Sequence, residues 1–442
     1  MNLKEIIDYL DGNLIYGDIN KKVNDIKIDS RKIEKGDTFI GIKGENYDGN
    51  MFYLDALDKG AEVIIIDNKN IITNLSKTII LVDDSIKALQ DIARFKMSKI
   101  DKPVIAITGS VGKTTTKEFI YNILSKKYKV LKTDKNYNGQ IGVPLTILSY
   151  KDEDIILLEM GMNEKGALSK LSLIVKPDIV VITNIGTSHI GNLGSRKKIL
   201  KAKLEILDYI KDDGIVIINN DNDLLHKYKR KLKKYHLITY GIKNDSDYKT
   251  YNIKLSKNKS TYYLNNKKYT INLLGISSIY NSMVGIIIGD LFNVGKIQQI
   301  MKKISINNNN RFEIINNKKI QIIDDTYNAS YESVINALNT LNIISDLRKI
   351  VVLGDILELG KYSKNIHENI GKYIKDIDIL ITVGKYSKYI YDKANIKYKY
   401  HFNTNDEALI KINSILKEKD TILLKASHSM NFKYIVNNIK IT

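Results

Sequence analysis

Residues 104 to 124 limit the possible folds most, because they indicate a strand, a glycine turn and a helix in series. The first four residues, Val104-Ile105-Ala106-Ile107, have the length and the β-branching of a buried strand. After the turn, apolar residues recur at helical spacing, namely Phe119, Ile120, Ile123 and Leu124. Backbone N–H groups and the positive end of the helix dipole converge on such a turn and attract an anion there. The segment therefore predicts an α/β fold with a phosphate-binding loop.

The loop carries the residue types that phosphate binding requires, and its predicted nucleotide-binding residues are Gly109, Ser110, Val111, Gly112, Lys113, Thr114 and Thr115. The two glycines let the backbone approach a phosphate closely. Lys113 would reach the β- and γ-phosphates of a nucleotide, and the Thr114 hydroxyl would hold Mg²⁺. The common form of this loop has a glycine where this chain has Ile107. We interpret the segment as a shortened variant of that loop.

The charge of the chain bears on its partners. The sequence contains 69 lysine and arginine residues against 50 aspartate and glutamate residues, which gives a formal net charge of +19. The lysines are spread along the whole chain, often as pairs such as Lys21-Lys22 and Lys197-Lys198, and they form no basic arm. An excess of positive charge favours anionic small substrates. We therefore predict small-molecule substrates and no nucleic-acid partner.

Other features of the composition exclude further classes of protein. The 442 residues include no cysteine, so disulfides, thiolate zinc sites and a cysteine nucleophile are excluded. No apolar run reaches the length of a membrane span, roughly 18 residues. The first residues also lack the charged-then-apolar pattern of a secretory signal. We predict a cytoplasmic protein without a membrane span.

The length of the chain exceeds what a single hydrophobic core usually supports. We predict three α/β domains: a small N-terminal domain over residues 1–100, a central domain with a mostly parallel sheet over residues 101–310, and a C-terminal Rossmann-like domain over residues 311–442. Short alternating segments between about 245 and 275 predict a β-hairpin inserted in the central domain. The C-terminal domain has no G-x-G-x-x-G pattern, so dinucleotide binding is not supported.

Two polar residues of the central domain follow apolar strands. Glu159 ends the apolar run 155–158, and His189 lies just after the run 179–182. The carboxyl ends of parallel strands are where ligands bind in such sheets. A carboxylate from Glu159 could complete an octahedral Mg²⁺ shell with Thr114 and nucleotide phosphates, and His189 is a candidate metal ligand or orienting group. A surface glutamate and a hydrogen-bonded loop histidine are the alternative interpretations.

Acidic residues follow two strands of the C-terminal domain, in Asp324-Asp325-Thr326-Tyr327-Asn328-Ala329 and in Gly354-Asp355-Ile356-Leu357-Glu358-Leu359-Gly360. Carboxylates at strand ends could position a cationic amine or a metal-bound phosphate. Asp and Asn are also common helix caps, so a structural role is the alternative.

Taken in order, these segments resemble the ATP-dependent Mur ligases of peptidoglycan synthesis, and the likeness covers nearly the whole chain. The matching residues are Asp29-Ser30-Arg31, Lys43-Gly44, Thr108 to Glu118, Asn136-Tyr137-Asn138, Ile182 to Gly186, His189, Lys201-Ala202-Lys203, Asn281, Arg311, Asp324 to Ala329, and Gly354 to Gly360 with His367. The resemblance implies an ADP-forming amide ligase that uses ATP and Mg²⁺ to activate a carboxylate as an acyl phosphate. It implies a UDP-linked muramoyl peptide and D-alanyl-D-alanine as substrates. We expect a monomer.

The resemblance also implies roles for individual residues. Glu159 would be a Mg²⁺ ligand, His189 would help to hold a second Mg²⁺, and Lys203 would be the lysine that is carbamylated in relatives to bridge metal. An ordinary helix lysine is the alternative for Lys203, because an unmodified lysine is protonated at neutral pH and cannot ligate Mg²⁺. Lys113, His189 and Lys203 would then be the catalytic residues.

The ATP contacts implied by the resemblance come from two domains. Asn281 and Arg311 would contact ATP, while Asp325 and Asn328 would lie at the adenosine edge and the domain interface. The N-terminal domain would bind the uridine nucleotide, and the C-terminal domain would bind the amine substrate.

The last segment departs from the family pattern at Ala426, His428 and Lys433, which leaves the identity of the amine substrate open. A paralogous ligase that joins another amino acid or dipeptide to another carboxylate is one alternative function. An ATP-hydrolysing regulatory or binding protein is a second alternative, from a different class.

Overall fold

The computed structural model describes residues 1–7, 9–10, 12–44, 47–74, 76–134, 136–306, 312–316 and 319–440. Within these residues the strands form three sheets, and each sheet belongs to a separate block of the chain. The predicted α/β class with three domains, the central one with a mostly parallel sheet, is confirmed. The domain boundaries at residues 100 and 310 stay predictions.

The first block has a five-stranded sheet in the order β1-β5-β4-β3-β2, in which only β1 runs antiparallel to its neighbour. Its strands are β1 (Asn13–Tyr16), β2 (Ile26–Lys27), β3 (Thr38–Ile40), β4 (Val63–Ile66) and β5 (Thr78–Leu81). Its helices are α1 (Leu3–Ile7), α2 (Tyr53–Asp58) and α3 (Ser85–Met97). The helix α3 leads into the second block and packs against it, where Lys96 Nζ donates hydrogen bonds to the carbonyls of Leu148 and Tyr150.

The second block has a nine-stranded sheet in the order β14-β13-β12-β11-β10-β9-β6-β8-β7. Its strands are β6 (Val104–Thr108), β7 (Val130–Lys132), β8 (Ile155–Glu159), β9 (Ile179–Ile182), β10 (Ile215–Asn219), β11 (His236–Gly241), β12 (Tyr248–Leu255), β13 (Ser260–Leu264) and β14 (Lys267–Ile271). Its helices are α4 (Lys113–Leu124), α5 (Gly142–Leu148), α6 (Ala167–Val175), α7 (Ile190–Leu193), α8 (Arg196–Leu204), α9 (Asp223–Leu232), α10 (Gly275–Leu291) and α11 (Ile297–Lys303). The strands β6 to β12 pair in parallel, and β13 and β14 form the predicted antiparallel hairpin.

The third block has a six-stranded sheet in the order β15-β16-β20-β17-β18-β19, with β15 antiparallel at its edge. Its strands are β15 (Glu313–Asn316), β16 (Gln321–Asp324), β17 (Lys349–Gly354), β18 (Ile379–Val383), β19 (Tyr398–Phe402) and β20 (Thr421–Lys425). Its helices are α12 (Tyr331–Ile344), α13 (Ser363–Tyr373), α14 (Lys388–Lys393), α15 (Asn405–Ile415) and α16 (Phe432–Asn438).

The crossing of α4 and α10 fixes the helix that starts at the phosphate loop. The apolar face of α4 is fully buried at Phe119 and Ile123. Two glycines of α10 make the close approach possible, since a Cβ atom on Gly285 would lie 2.9 Å from Phe119 Cβ and one on Gly289 would lie 2.8 Å from Ile123 Cγ2. Burying each of these large side chains contributes about 1.5–3 kcal/mol. The loop is therefore attached to a rigid part of the central block.

No helix in the described residues is both long enough and apolar enough to cross a lipid bilayer.

Candidate active site

The predicted phosphate loop joins the buried end of β6 to the start of α4. Gly109 and Gly112 have φ values of +154° and +87°, which side chains rarely allow. At Gly112 space is also limiting, because a Cβ atom there would lie 2.5 Å from Asn281 Oδ1. Residues 113–115 form the first turn of α4. A helix cannot satisfy its own first-turn N–H groups, so this end of α4 favours a bound anion.

The segment after β9 holds the loop in shape. Asn184 Oδ1 accepts hydrogen bonds from the backbone N–H groups of Ser110 and Val111, both at 2.9 Å. The Gly186 N–H donates to Ser110 Oγ at 2.8 Å, and Thr183 Oγ1 donates to the Val111 carbonyl at 2.7 Å. In the sequence this segment stands out only as the end of a strand and by its likeness to the Mur ligases, and neither feature gives Asn184 a role. The adjacency of β9 and β6 in the parallel sheet is the signal that could have found it.

Glu159 lies where the sequence predicts it, beside the loop, because β8 pairs with β6. The carboxylate is buried, and its two oxygens accept hydrogen bonds from Thr114 Oγ1 and Asn138 Nδ2, each at 2.8 Å. A carboxylate and a hydroxyl are hard oxygen donors, and Mg²⁺ is usually bound by one or two carboxylates together with substrate phosphates. The donor set at Thr114 and Glu159 therefore fits Mg²⁺.

Two lysines lie near each other at this end of the sheet. Lys113 Nζ donates a hydrogen bond to the Gly109 carbonyl at 2.9 Å. Lys203, in α8, is buried, and burial together with the nearby charge of Lys113 lowers its pKa well below the usual value. Among the described residues, no carboxylate pairs with Lys203 and no acceptor takes a hydrogen bond from it. A lysine in this setting favours the neutral amine, which is the nucleophilic form.

His189 follows β9 with a φ of +62°, and its ring engages the C-terminal block. Its Nδ1 atom lies 2.6 Å from Glu358 Oε2, and this close contact lowers the pKa of the Glu358 carboxyl. The neighbouring Ser188 Oγ donates to the Ser110 carbonyl at 3.3 Å, which ties His189 to the phosphate loop. Within the described part of the chain, no three His, Asp or Glu side chains form a cluster that could hold a metal ion. Ligands other than these side chains, such as phosphate oxygens or water, would therefore complete any Mg²⁺ shell here.

Two residues further along the chain, Asn281 and Arg311, are also expected to contact ATP. Asn281, on α10, lies against the loop, and its Oδ1 accepts a hydrogen bond from Thr116 Oγ1 at 3.2 Å. Arg311 lies outside the described residues.

Asp325 and Asn328 lie after β16, at the carboxyl end of the C-terminal sheet. Lys425 joins them, since its Nζ atom is 2.7 Å from Asp325 Oδ2 and donates to the Asn328 carbonyl at 2.9 Å. Burial raises the pKa of the Asp325 carboxyl, and the charge of Lys425 opposes that rise. The adjacent carboxylate of Asp324 pairs with Lys433 at 2.5 Å. Both carboxylates are thus already paired with lysines that lie about 100 residues further along the chain, which local sequence patterns do not predict.

Asp355, in the second acidic run of the C-terminal block, has a structural role, and so has the nearby His367. Asp355 Oδ1 accepts hydrogen bonds from the backbone N–H groups of Tyr386 and Ser387, at 2.9 and 2.6 Å. His367 is fully buried, and its Nε2 atom accepts a hydrogen bond from the Ile356 N–H at 3.0 Å. Both residues shape the loop that carries Glu358 to the domain interface.

The positions that depart from the family pattern cluster near β20. The His428 ring lies 5.9 Å from the Tyr327 ring, centroid to centroid, and Ala426 is fully buried. Together with the Lys433–Asp324 pair, they line the carboxyl ends of β16 and β20, which are neighbours in the sheet.

Comparison with known proteins matches this architecture from end to end. Three family models match: "Mur ligase family, catalytic domain" over residues 22–97, "Mur ligase middle domain" over residues 107–289, and "Mur ligase, glutamate ligase domain" over residues 310–428.

Curated relatives cover the whole chain. The UDP-N-acetylmuramoyl-tripeptide–D-alanyl-D-alanine ligase of Bacillus subtilis is 33% identical over 99% of this chain and 98% of its own length. The protein of the same name from Buchnera aphidicola subsp. Baizongia pistaciae is 35% identical over 94% of this chain and 92% of its own length.

Solved structures agree with the relatives. MurF from Acinetobacter baumannii superposes with a TM-score of 0.92 at 26% identity, over 99% of this chain and 98% of that chain. The MurF ligase of Thermotoga maritima, solved in complex with ADP, superposes with a TM-score of 0.85 at 27% identity, over 94% of this chain and 97% of that chain. The full-length identity and the phosphate loop agree, and the chain therefore belongs to the Mur ligase family.

Proposed function

We propose that this chain is the ADP-forming ligase that adds D-alanyl-D-alanine to UDP-N-acetylmuramoyl-tripeptide in peptidoglycan synthesis. The relatives that are about one-third identical over nearly their full length carry this name, and the two solved structures reported above are both named MurF. The observation that carries the proposal is the phosphate loop, with Lys113 at its end and the Thr114–Glu159 pair beside it.

The proposed reaction has two steps. A carboxylate oxygen of the UDP-linked peptide attacks the γ-phosphorus of ATP, the bond to the β-phosphate oxygen breaks, and ADP leaves. The amine nitrogen of D-alanyl-D-alanine then loses a proton and attacks the acyl carbon, and phosphate leaves with the original carboxylate oxygen. Positioning and neutralisation of the developing phosphate charge by Lys113 and the loop amides supply most of the catalysis.

We propose that Thr114 and Glu159 hold Mg²⁺, which would neutralise phosphate charge when bound. Lys203 would provide a further oxygen ligand after carbamylation, and His189 would hold a second Mg²⁺. The Lys203 amine is buried, has no partner among the described residues and has a lowered pKa, and these properties support this role because carbamylation requires a neutral lysine.

The domain roles follow from the same proposal. The N-terminal domain would bind the uridine nucleotide, the central domain ATP, and the C-terminal domain the amine. Asn281, Arg311, Asp325 and Asn328 would contribute to the nucleotide site. We also propose that the protein works as a monomer in the cytoplasm, where its nucleotide substrates are made.

A phosphate-release assay tests the proposal. With ATP and Mg²⁺, release is expected only when UDP-N-acetylmuramoyl-tripeptide and D-alanyl-D-alanine are both present. Single amino acids and other dipeptides serve as competing amines, since Ala426, His428 and Lys433 depart from the family pattern. Faster release with another amine would indicate a paralogous ligase, and release that is independent of any amine would indicate a regulatory ATPase.

A further inference from the structure

The segment between β9 and α8 has contacts on two sides. On one side, Gly186 and Ser188 contact Ser110 of the phosphate loop, at 2.8 and 3.3 Å. On the other side, the same segment touches the C-terminal block at several points. Residues 184–194 are therefore a direct physical link between the nucleotide loop and the domain proposed to hold the amine.

The first contact on the C-terminal side is made by Glu332, in the first turn of α12. Its Oε2 atom accepts a hydrogen bond from Thr187 Oγ1 at 3.0 Å. The carboxylate lies so close to Gly186 that a Cβ atom there would be 2.7 Å from Glu332 Cδ. Glycine at position 186 leaves room for this carboxylate.

The second contact is a backbone-to-backbone junction. The Gly191 N–H donates to the Glu358 carbonyl at 2.8 Å. A Cβ atom on Gly191 would lie 2.7 Å from the Gly360 nitrogen, and one on Gly360 would lie 3.0 Å from Gly191 Cα. Two segments of backbone that approach this closely need a glycine in each segment. The Tyr362 hydroxyl completes the junction by donating to the Gly194 carbonyl at 2.5 Å.

We propose that Glu332, Glu358 and Tyr362 form an interdomain clamp on residues 184–194, and that this clamp couples nucleotide binding at the phosphate loop to amine binding in the C-terminal domain. Filling the loop fixes Ser110 and Val111, which are hydrogen-bonded to Asn184. The fixed segment then presents the Thr187 hydroxyl, the Gly191 N–H and the Gly194 carbonyl in the positions that the clamp requires. Glu332 and Tyr362 are positioning residues, since they act through this segment.

The inference rests on the proposed function only for the identity of the amine. Coupling is reciprocal: the factor by which a non-hydrolysable ATP analogue raises the affinity for D-alanyl-D-alanine equals the factor by which the dipeptide raises the affinity for the analogue. Calorimetry on the full chain with Mg²⁺ measures both factors.

The test variants are Tyr362→Phe and Glu332→Ala, each of which removes one hydrogen bond of the clamp, and Tyr373→Phe is the matched control. Tyr373 lies on α13 of the same block and donates a comparable hydrogen bond, at 2.7 Å to Asn339 Oδ1, away from the clamp. In each test variant we expect the coupling factor and kcat/KM for the amine to fall about fivefold, as the loss of one hydrogen bond predicts. The affinity for the ATP analogue alone, measured without the dipeptide, should stay at the wild-type value. Wild-type coupling in both test variants, or an equal loss in Tyr373→Phe, would overturn the clamp.

A second readout separates failure of the clamp from failure of the proposed function. Because the chain has no cysteine, one cysteine at Lys231 of α9 and one at Lys372 of α13 allow site-specific fluorescent labelling. The ATP analogue should narrow the distribution of energy transfer between the two labels in the otherwise wild-type protein and leave it broad with Tyr362→Phe. The same narrowing in both proteins would refute the clamp. If the ATP analogue narrows the distribution only in the otherwise wild-type protein, and that protein makes no product from D-alanyl-D-alanine, only the assignment of the amine is refuted.

Discussion

Lys203 offers the most discriminating prediction, because a neutral buried amine and a charged, paired amine would have opposite effects on the free energy of unfolding when the side chain is replaced. The side chain is buried, its pKa is lowered well below the usual value, and no partner among the described residues neutralises a charge there. Replacing it by methionine keeps an unbranched chain of similar length and removes the titratable amine. We predict that Lys203→Met folds at least as stably as the wild type in CO₂-free buffer and loses ligase activity.

The magnitude follows from proton linkage. In the unfolded chain a lysine has a pKa of about 10.4 and binds a proton at about pH 7.4, whereas the lowered pKa of folded Lys203 disfavours that proton. Holding the amine neutral costs at most about 4 kcal/mol at that pH, at about 1.36 kcal/mol per pH unit. Because the pKa of Lys203 is lower in the folded chain than in the unfolded chain, the wild-type free energy of unfolding rises as the pH increases towards about 10. Lys203→Met lacks this cost, so its advantage should shrink over the same pH range.

Urea unfolding at several pH values, together with phosphate release, checks this prediction. Native mass spectrometry in bicarbonate should show one added CO₂ on the wild type and none on Lys203→Met. Turnover should fall on the order of 100-fold in the variant, because a group that helps to hold metal is lost. If Lys203→Met is instead less stable by about 2 kcal/mol or more, a buried charge was lost from a paired site, and the reasoning about a neutral amine is wrong.

Three further predictions concern the loop and the C-terminal block. Lys113→Ala should lower turnover on the order of 10²- to 10³-fold with an unchanged melting temperature, and a near-wild-type rate would contradict its role at the phosphates. Glu159→Gln keeps one acceptor oxygen but places an NH₂ donor towards Thr114 or Asn138. Half-maximal activity should therefore need a higher magnesium concentration, and an unchanged magnesium titration would exclude Glu159 as a Mg²⁺ ligand. Burial lowers the pKa of His367, so on acidification the unfolded chain takes up a proton more readily than the folded chain does. The free energy of unfolding therefore falls as the pH drops below about 6.5, by up to about 1.4 kcal/mol per pH unit. Urea midpoints of His367→Gln should lack this part of the pH dependence, and an identical slope would show that another group causes it.

The phosphate loop could be predicted from the sequence because all of its determinants lie within about 20 residues. Strand, glycines and helix are local features, and the structure confirms them at Val104–Thr108 and Lys113–Leu124. Glu159 was predictable for a related reason, since adjacent parallel strands end at the same edge of a sheet. The hairpin also followed from its turn: Asn265 and Asn266 both have positive φ, as a two-residue hairpin turn requires.

The second strand of that hairpin shows where local reasoning falls short. The alternation of side chains in Tyr269-Thr270-Ile271-Asn272-Leu273 predicts a strand over those residues, while the structure has Lys267–Ile271, because the two-residue turn fixes the register. Similarly, β2 is only two residues long and gives no periodic signal. Boundaries of such short elements depend on pairing partners that the sequence does not display.

The contacts that complete the site depend on residues far apart in the chain. Asn184 lies 74 residues from Ser110, Thr187 lies 145 from Glu332, and Tyr362 lies 168 from Gly194. Each of these side chains has an ordinary local setting, so nothing in its neighbourhood along the sequence marks it. Tertiary packing alone brings them to the loop.

The central claim is that a γ-phosphoryl group held at Lys113 passes to a substrate carboxylate before the amine attacks. The most direct test uses UDP-N-acetylmuramoyl-tripeptide labelled with ¹⁸O in its terminal carboxylate, with ATP, Mg²⁺ and D-alanyl-D-alanine, and mass analysis of the released phosphate. The account predicts one ¹⁸O atom in each phosphate and a stoichiometric UDP-linked pentapeptide. Unlabelled phosphate accompanying that product, or no product at all, would contradict it.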